Sequence, residues 1–384
     1  MLTAELPTVP TSLREPLRRI LGGKLCPWPL ETSAADGEAF SAAVTLQGMA
    51  PLLFERATAA GVQWPEAVMV RLRSAAVQAA AAEPLRQRDL SRVLDGFAQA
   101  SIEILILKGS ALAYQIYAAP EQRPRADTDL LIRRTEAGNA RALLETMGYA
   151  GRVLSGDPLA NRQQAFARVD PFGVEHIYDL HWDIANTPVV RDALAFQELL
   201  ERSVRVISLD RRALAPSLLD ALLLACIHRA AHHHDSERLV WLYDIHLLYG
   251  RLSEEERAEF RRQAAVRGVS AICARSLLLA EEWFASGVSD STARWNAETA
   301  GAGEASARFL DHRRRQASVL AEDLRALSWR DRLQRLRDLA FPPAVFMRAS
   351  YPSAPPVALP VLYLLRGVRG VARLFRRVQQ SGDA

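Results

Sequence analysis

Two carboxylates one residue apart, Asp127 and Asp129, stand in the stretch RADTDLLI, directly ahead of an apolar run. On an extended strand successive side chains alternate between faces, so both acids would project on one face and Thr128 on the other. Two hard carboxylates on one face suit a divalent cation. Mg2+, or Mn2+ in its place, takes a few carboxylates together with phosphate oxygens and water, which makes a nucleoside triphosphate the natural third party. Farther on, VEHIYDLHWDI alternates Glu175, Ile177, Asp179, His181 and Asp183 onto one face. Asp179 or Asp183 therefore offers a third carboxylate, as base or metal ligand, for an in-line attack on the α-phosphate. The two lie about 13 Å apart along an extended strand, so only one can serve a single metal pair. Asp179 is the expected one, because it lies nearer the middle of the strand. Losing Asp127 and Asp129 together is expected to abolish metal-dependent NTP binding or turnover and to leave the thermal midpoint little changed.

Upstream, LKGSALAYQIY places Lys108, Gly109 and Ser110 between an apolar β-type run and a helical one. Free backbone N–H groups at the start of a helix favour an anion such as phosphate, and glycine would let a ligand approach the backbone. The order Lys-Gly-Ser lacks the GxxxxGK spacing, which excludes a Walker loop. Lys108 is placed either to bind phosphate or to snorkel from the strand end. Arg123 and Arg125 either fix the intervening loop or touch the nucleotide. In HRAAHHHDSERLVWLYDI, His228 and His232 stand four apart on a helix, but Arg229 sits where a zinc protease needs its glutamate. The run His232 to His234 reads as a polar helix face or hydrogen-bonding anchor. Trp241 and Leu242 read as core, and Asp244 as a cap or an anchor of that helix against the preceding unit.

The elements that must carry these residues follow from periodicity. Residues 36–100 place apolar positions at helical spacing. IEILILK, DTDLLIRR, QAFARVD and VEHIYDLHWDI read as strands, with SALAYQIYA and TEAGNARALLETMGY as helices between them, the second capped by Thr135. From about 215 the pattern is helical again, with a Pro-rich break at YPSAPPVALP. The expected organisation is a helical N-terminal unit over 1–100, an α/β (α+β) core with a mixed sheet over 101–212, and a helical C-terminal unit over 213–384 that ends in a basic amphipathic tail.

These motifs in this order resemble the family called uncharacterised nucleotidyltransferases, part of the nucleotidyltransferase superfamily. The residues that carry the resemblance are LKGSAL, Tyr117, RPRADTDLLI, YDLHW and the helix HRAAHHHDSERLVWLYDI, over roughly 45–250. The resemblance implies that Gly109 and Ser110 hold the triphosphate with Lys108, Arg123 and Arg125 nearby. It also implies that Asp127 and Asp129 ligate metal, that Asp179 is the third acid, and that His181, His228, His232 and Asp244 position substrate. The implied activity is transfer of a nucleoside monophosphate from an NTP to a small-molecule, peptide or protein acceptor, with release of pyrophosphate. The alternatives are a catalytically silent nucleotide-binding or assembly module of the same fold, and a kinase of a small substrate.

With 49% hydrophobic and 24% charged residues over 384, the chain has the composition of a globular protein with a sizeable core. A formal net charge of +4, with arginines spread along the chain, does not indicate a dedicated nucleic-acid binder. Cys26, Cys226 and Cys273 form no CxxC pair and fit reduced thiols. The N-terminus has acids and prolines where a signal peptide needs a basic start and an apolar run, so the expected location is the cytoplasm. In the tail, Arg366, Arg369, Arg373, Arg376 and Arg377 recur at steps of three and four, opposite Leu364, Val368, Val371 and Leu374. Such a helix either packs on the protein body or makes peripheral contact with an anionic membrane.

Overall fold

The computed structural model of the protein describes residues 7–152, 162–301 and 303–311, parts of 318–351, and 359–374. Four helices open the chain: α1 (Thr11–Leu21), α2 (Ala34–Leu46), α3 (Ala50–Ala59) and α4 (Glu66–Gln99). A capping box starts α2, with Ser33 Oγ accepting from the Asp36 amide and the Asp36 carboxylate accepting from the Ser33 amide. The apolar faces of α1 to α3 close on Leu239, Val240 and Tyr243 of α10 (Leu239–Arg251) and on Phe284 of α12 (Ser270–Phe284). The N-terminal helices thus share with α10 and α12 one core, which runs across the boundaries expected at 100 and 212.

The middle of the chain forms the mixed sheet, built from β1 (Ile104–Leu107), β2 (Thr128–Ile132), β3 (Ala150–Gly151), β4 (Gln163–Val169) and β5 (Glu175–His181) in the order β1-β2-β5-β4-β3. Among the described residues of this sheet, β2 and β5 run parallel and the other pairs are antiparallel. Alternation divides the sheet. Ile106, Leu130, Tyr178 and Leu180 turn to the second half of α4 and to α6 (Ala137–Thr146), while Leu105, Leu107 and Leu131 turn to α9 (Leu218–Ile227). The helix α5 (Lys108–Gln115) leaves directly from β1. The expected Thr135 cap is not made: a 3-10 turn at Arg134–Glu136 carries the backbone into α6, which begins at Ala137 without a side-chain cap.

After β5 come the short helices α7 (Pro188–Arg191) and α8 (Phe196–Glu201), a hairpin of β6 (Val204–Arg205) and β7 (Leu214–Ala215), and then α9 and α10, with α11 (Glu254–Val266), α12 and α13 (Asp290–Ala300) completing the bundle. Among the described residues beyond 215 the elements are helical, with a 3-10 turn at Ala305–Leu310 and a departure at the histidines. There α9 runs into a π-helical turn, His228–His232, followed by left-handed backbone at His234 and Asp235 (φ 49° and 58°). A buried ion pair of 2.6 Å between Arg229 and Asp235 pins that turn. Beyond the bundle lie α14 (Trp329–Ala340) and α15 (Leu359–Leu374); most of the Pro-rich break, 352–358, and Arg376 and Arg377 lie outside the described residues. All three cysteines are free and buried. Among the described residues no helix is long and apolar enough to cross a membrane.

Candidate active site

Strand register decides which acids meet. Asp129 stands opposite Leu107 on one side and opposite Asp179 on the other. Lys108, next after Leu107, adopts a left-handed backbone (φ 49°), a conformation costly for a non-glycine residue. Its Nζ donates to Asp129 Oδ1 at 2.6 Å, and His181 Nε2 lies 2.9 Å from the same oxygen. The ligand atoms of Asp129, Asp179 and His181 all fall within 4.8 Å of one another. Two carboxylates and an imidazole form a donor set for a divalent cation, so the residues present fit the Mg2+ or Mn2+ that the sequence implies. This set differs from the expected one. Asp127 precedes β2 at the cleft rim, exposed and outside the group, whereas His181, expected to position substrate, is inside it.

The charges are arranged unequally. Burial opposes ionisation of Asp129, but Lys108 and His181 outweigh it and hold this carboxyl well below the usual carboxylate range. Asp127 is pushed up to about 6 by the loss of bulk water within the cleft and by the charges of Asp129 and Asp179. Burial and Asp129 likewise raise Asp179 to about 6. Burial and the neighbouring Lys108 lower His181, which favours its neutral form. Asp183, the rival third acid, lies past the end of β5 in an ion pair of 3.4 Å with Arg162.

The residues expected to bind nucleotide divide into two groups. Gly109 packs closely on Arg123: a Cβ there would meet the guanidinium at 3.3 Å, a tight approach to a side chain of the protein. Arg123 is not free for a nucleotide, because Asp244 takes its Nε at 2.9 Å and its Nη2 at 2.7 Å, and Pro124 O takes its Nη1. Tyr117 Oη donates to the same Asp244 carboxylate at 2.7 Å. Asp244 is therefore saturated and acts as the anchor of α10 to the loop, without a free oxygen for positioning substrate. The Ser110 hydroxyl is also committed, since it is shared with Thr128 Oγ1 at 2.9 Å and accepts from Arg125 Nε at 3.1 Å. Arg125 keeps one group in reserve. Its side chain is 4% exposed and Glu83 holds its Nη2 at 2.6 Å, yet Nη1 is buried without a hydrogen-bond partner. A buried unpaired cationic donor is costly, and a phosphate oxygen would satisfy it.

These groups line a cleft of about 830 Å3, in which Lys108, Arg125, Asp127, Asp129 and Asp179 are joined by His228, His232 and Trp241. The π-helical turn brings the His228 and His232 rings to 5.4 Å, and Trp241 packs edge-on to His228 at 5.1 Å. Burial, with Lys108 nearby, depresses both histidines, so they face the acids as neutral rings. Sequence reasoning missed Glu83, which holds both Arg125 and the Tyr114 hydroxyl from within α4. Its only signal was a lone acid in the small-residue run AAAAEP.

No curated protein matches the chain. The family model described as "Uncharacterised nucleotidyltransferase" matches residues 33–285, from α2 through α12 and across every residue of the cleft. With well over half its length matched, the chain belongs to the uncharacterised nucleotidyltransferase family.

Proposed function

We propose that the protein moves a nucleoside monophosphate from an NTP to an acceptor hydroxyl or similar nucleophile, releasing pyrophosphate. The observation that carries this reading is the alignment of Asp129 with Asp179 across parallel strands, with His181 in the same group. Asp129, Asp179 and His181 would hold Mg2+ or Mn2+, which when bound supplies charge neutralisation on the phosphates. Lys108 and the unpaired Arg125 Nη1 offer cationic donors to the triphosphate. The acceptor atom attacks the α-phosphorus, the bond to the pyrophosphate oxygen breaks, and the acceptor's proton passes to a carboxylate. Asp127, outside that donor set and raised to about 6, has the pKa closest to that of a general base at neutral pH.

The test is incubation of the protein with each NTP, Mg2+ or Mn2+ and cell extract, followed by mass-spectrometric search for a nucleotidylated product together with measurement of released pyrophosphate. A nucleoside diphosphate as the product would instead establish phosphoryl transfer. Bound but unchanged nucleotide under every condition would leave a silent binding module.

A further inference from the structure

The two terminal helices differ from the rest of the molecule in what they expose. On α14, Trp329, Leu333 and Leu336 recur at steps of four and three, which places them on one face, and all three are exposed, Trp329 by 65%. Phe341 follows, also exposed. On α15, Val361, Leu364 and Leu365, at i, i+3 and i+4, likewise share one face and are exposed, Leu364 by 73%. These seven are among seventeen large exposed hydrophobic residues in the described chain, and they fall within 37 positions. The two helices are tied to each other, since Tyr363 Oη donates to Pro342 O at 2.6 Å and the Phe341 and Tyr363 rings lie 6.2 Å apart. Met347 and Leu362 form a small core there with Tyr351 and Tyr363. Among the described residues, none beyond Leu310 enters the three main cores. The apolar faces are therefore not spent on packing against the body.

Charge indicates what would cover them. Arginines occur along the whole chain, but acids do not: six arginines and no aspartate or glutamate separate Asp338 from Asp383. That stretch, which holds α15 and the last two residues of α14, carries +6 in a chain of net charge +4, and the remainder is net −2; α14 itself sets four arginines against Asp331 and Asp338. A second copy of the same element would bring like charge to the contact, and a nucleic acid offers stacked bases and phosphates but no continuous apolar layer for a row of leucine and valine side chains. An anionic bilayer offers both negative headgroups and an apolar layer just beneath them, and helices with arginine on one face and Trp, Phe and Leu on the other lie in that interface.

We propose that α14 and α15 form a peripheral docking surface for an anionic lipid bilayer. It stands apart from the nucleotidyl-transfer reading, because it uses no residue of the cleft. The test uses the full chain with vesicles of phosphatidylcholine alone and of phosphatidylcholine with phosphatidylglycerol. Cosedimentation with the anionic vesicles at low salt is expected, with affinity at least about tenfold weaker at about 0.5 M salt, where charges are screened beyond a few ångström. Leu333→Asp with Leu364→Asp, at two exposed positions, should weaken binding by at least a similar factor while leaving the circular dichroism spectrum unchanged. Brominated lipid should quench part of the tryptophan emission, and Trp329→Phe should remove that part. Wild-type protein that ignores anionic vesicles at low salt overturns the proposal, as does binding that the double substitution leaves intact. Concentration-dependent dimers abolished by the same substitutions, without vesicle binding, would overturn it in favour of self-association.

Discussion

Asp129 and Asp179 face each other across the parallel pair β2–β5, whereas Asp183 lies beyond that pairing, tied to Arg162. The register therefore gives two acids of the same strand segment different surroundings. Asp179→Asn is expected to lower turnover by at least about a hundredfold, the scale of losing a general base or metal ligand. NTP affinity should change much less. Asp183→Asn should remain within a few-fold of wild type. Steady-state kinetics on the two single variants decides between them, and the reverse ranking would move the third acid to Asp183.

Asp127 and Asp129 should have opposite effects on stability, so the little-changed midpoint expected on losing both would come from partial cancellation of two single effects. The Asp127 carboxyl is raised from 3.8 to about 6, so its contribution to folding is fully present below 3.8 and lost as pH rises through 6. In metal-free protein, Asp127→Asn should raise Tm near pH 7.5, with the gain fading by about pH 4. The depressed Asp129 carboxyl contributes stability above its ordinary range and loses it as pH falls. Asp129→Asn should lower Tm at neutral pH, because Lys108 and His181 lose a charged acceptor. Thermal melts of both variants in chelator across that pH range provide the check.

The buried Arg123–Asp244 pair joins residues 121 apart in sequence and links the loop before β2 to α10. Removing one partner strands a buried charge, so Asp244→Ala should cost about 3–5 kcal/mol in urea denaturation. Replacing both, as Arg123→Met with Asp244→Leu, should recover much of that loss. If Asp244→Ala costs nothing measurable, the anchor assignment is wrong.

An imidazole in the donor set should tilt metal preference. Nitrogen ligands suit later transition metals better than Mg2+, which prefers oxygen. With a non-hydrolysable NTP analogue present, Mn2+ should bind at least about tenfold more tightly than Mg2+, in line with the affinity order for mixed nitrogen and oxygen sites. His181→Ala should narrow that ratio. Titration calorimetry of both ions measures it, and an unchanged ratio in the variant would place His181 outside the metal's reach.

What the sequence determined by itself is local. The alternation of apolar and polar positions follows directly from backbone geometry, so the strands around Leu107, Leu130 and Leu180, the turn into α5 and the basic amphipathic tail were readable from spacing, and the motif order pointed to the family. What only the tertiary structure decided is which of these side chains meet. Whether Asp127 or His181 joins Asp129 and Asp179 depends on where β2 begins and on its register with β5. That Arg123 pairs with Asp244 and Arg125 with Glu83 depends on how helices far away in sequence pack against one loop. Spacing within one segment carries no record of such partners, because a contact across 52 or 121 residues is set by the pairing of whole elements. The α14–α15 surface shows the same division: its periodicity is local, but its exposure followed only once the other cores had closed without it.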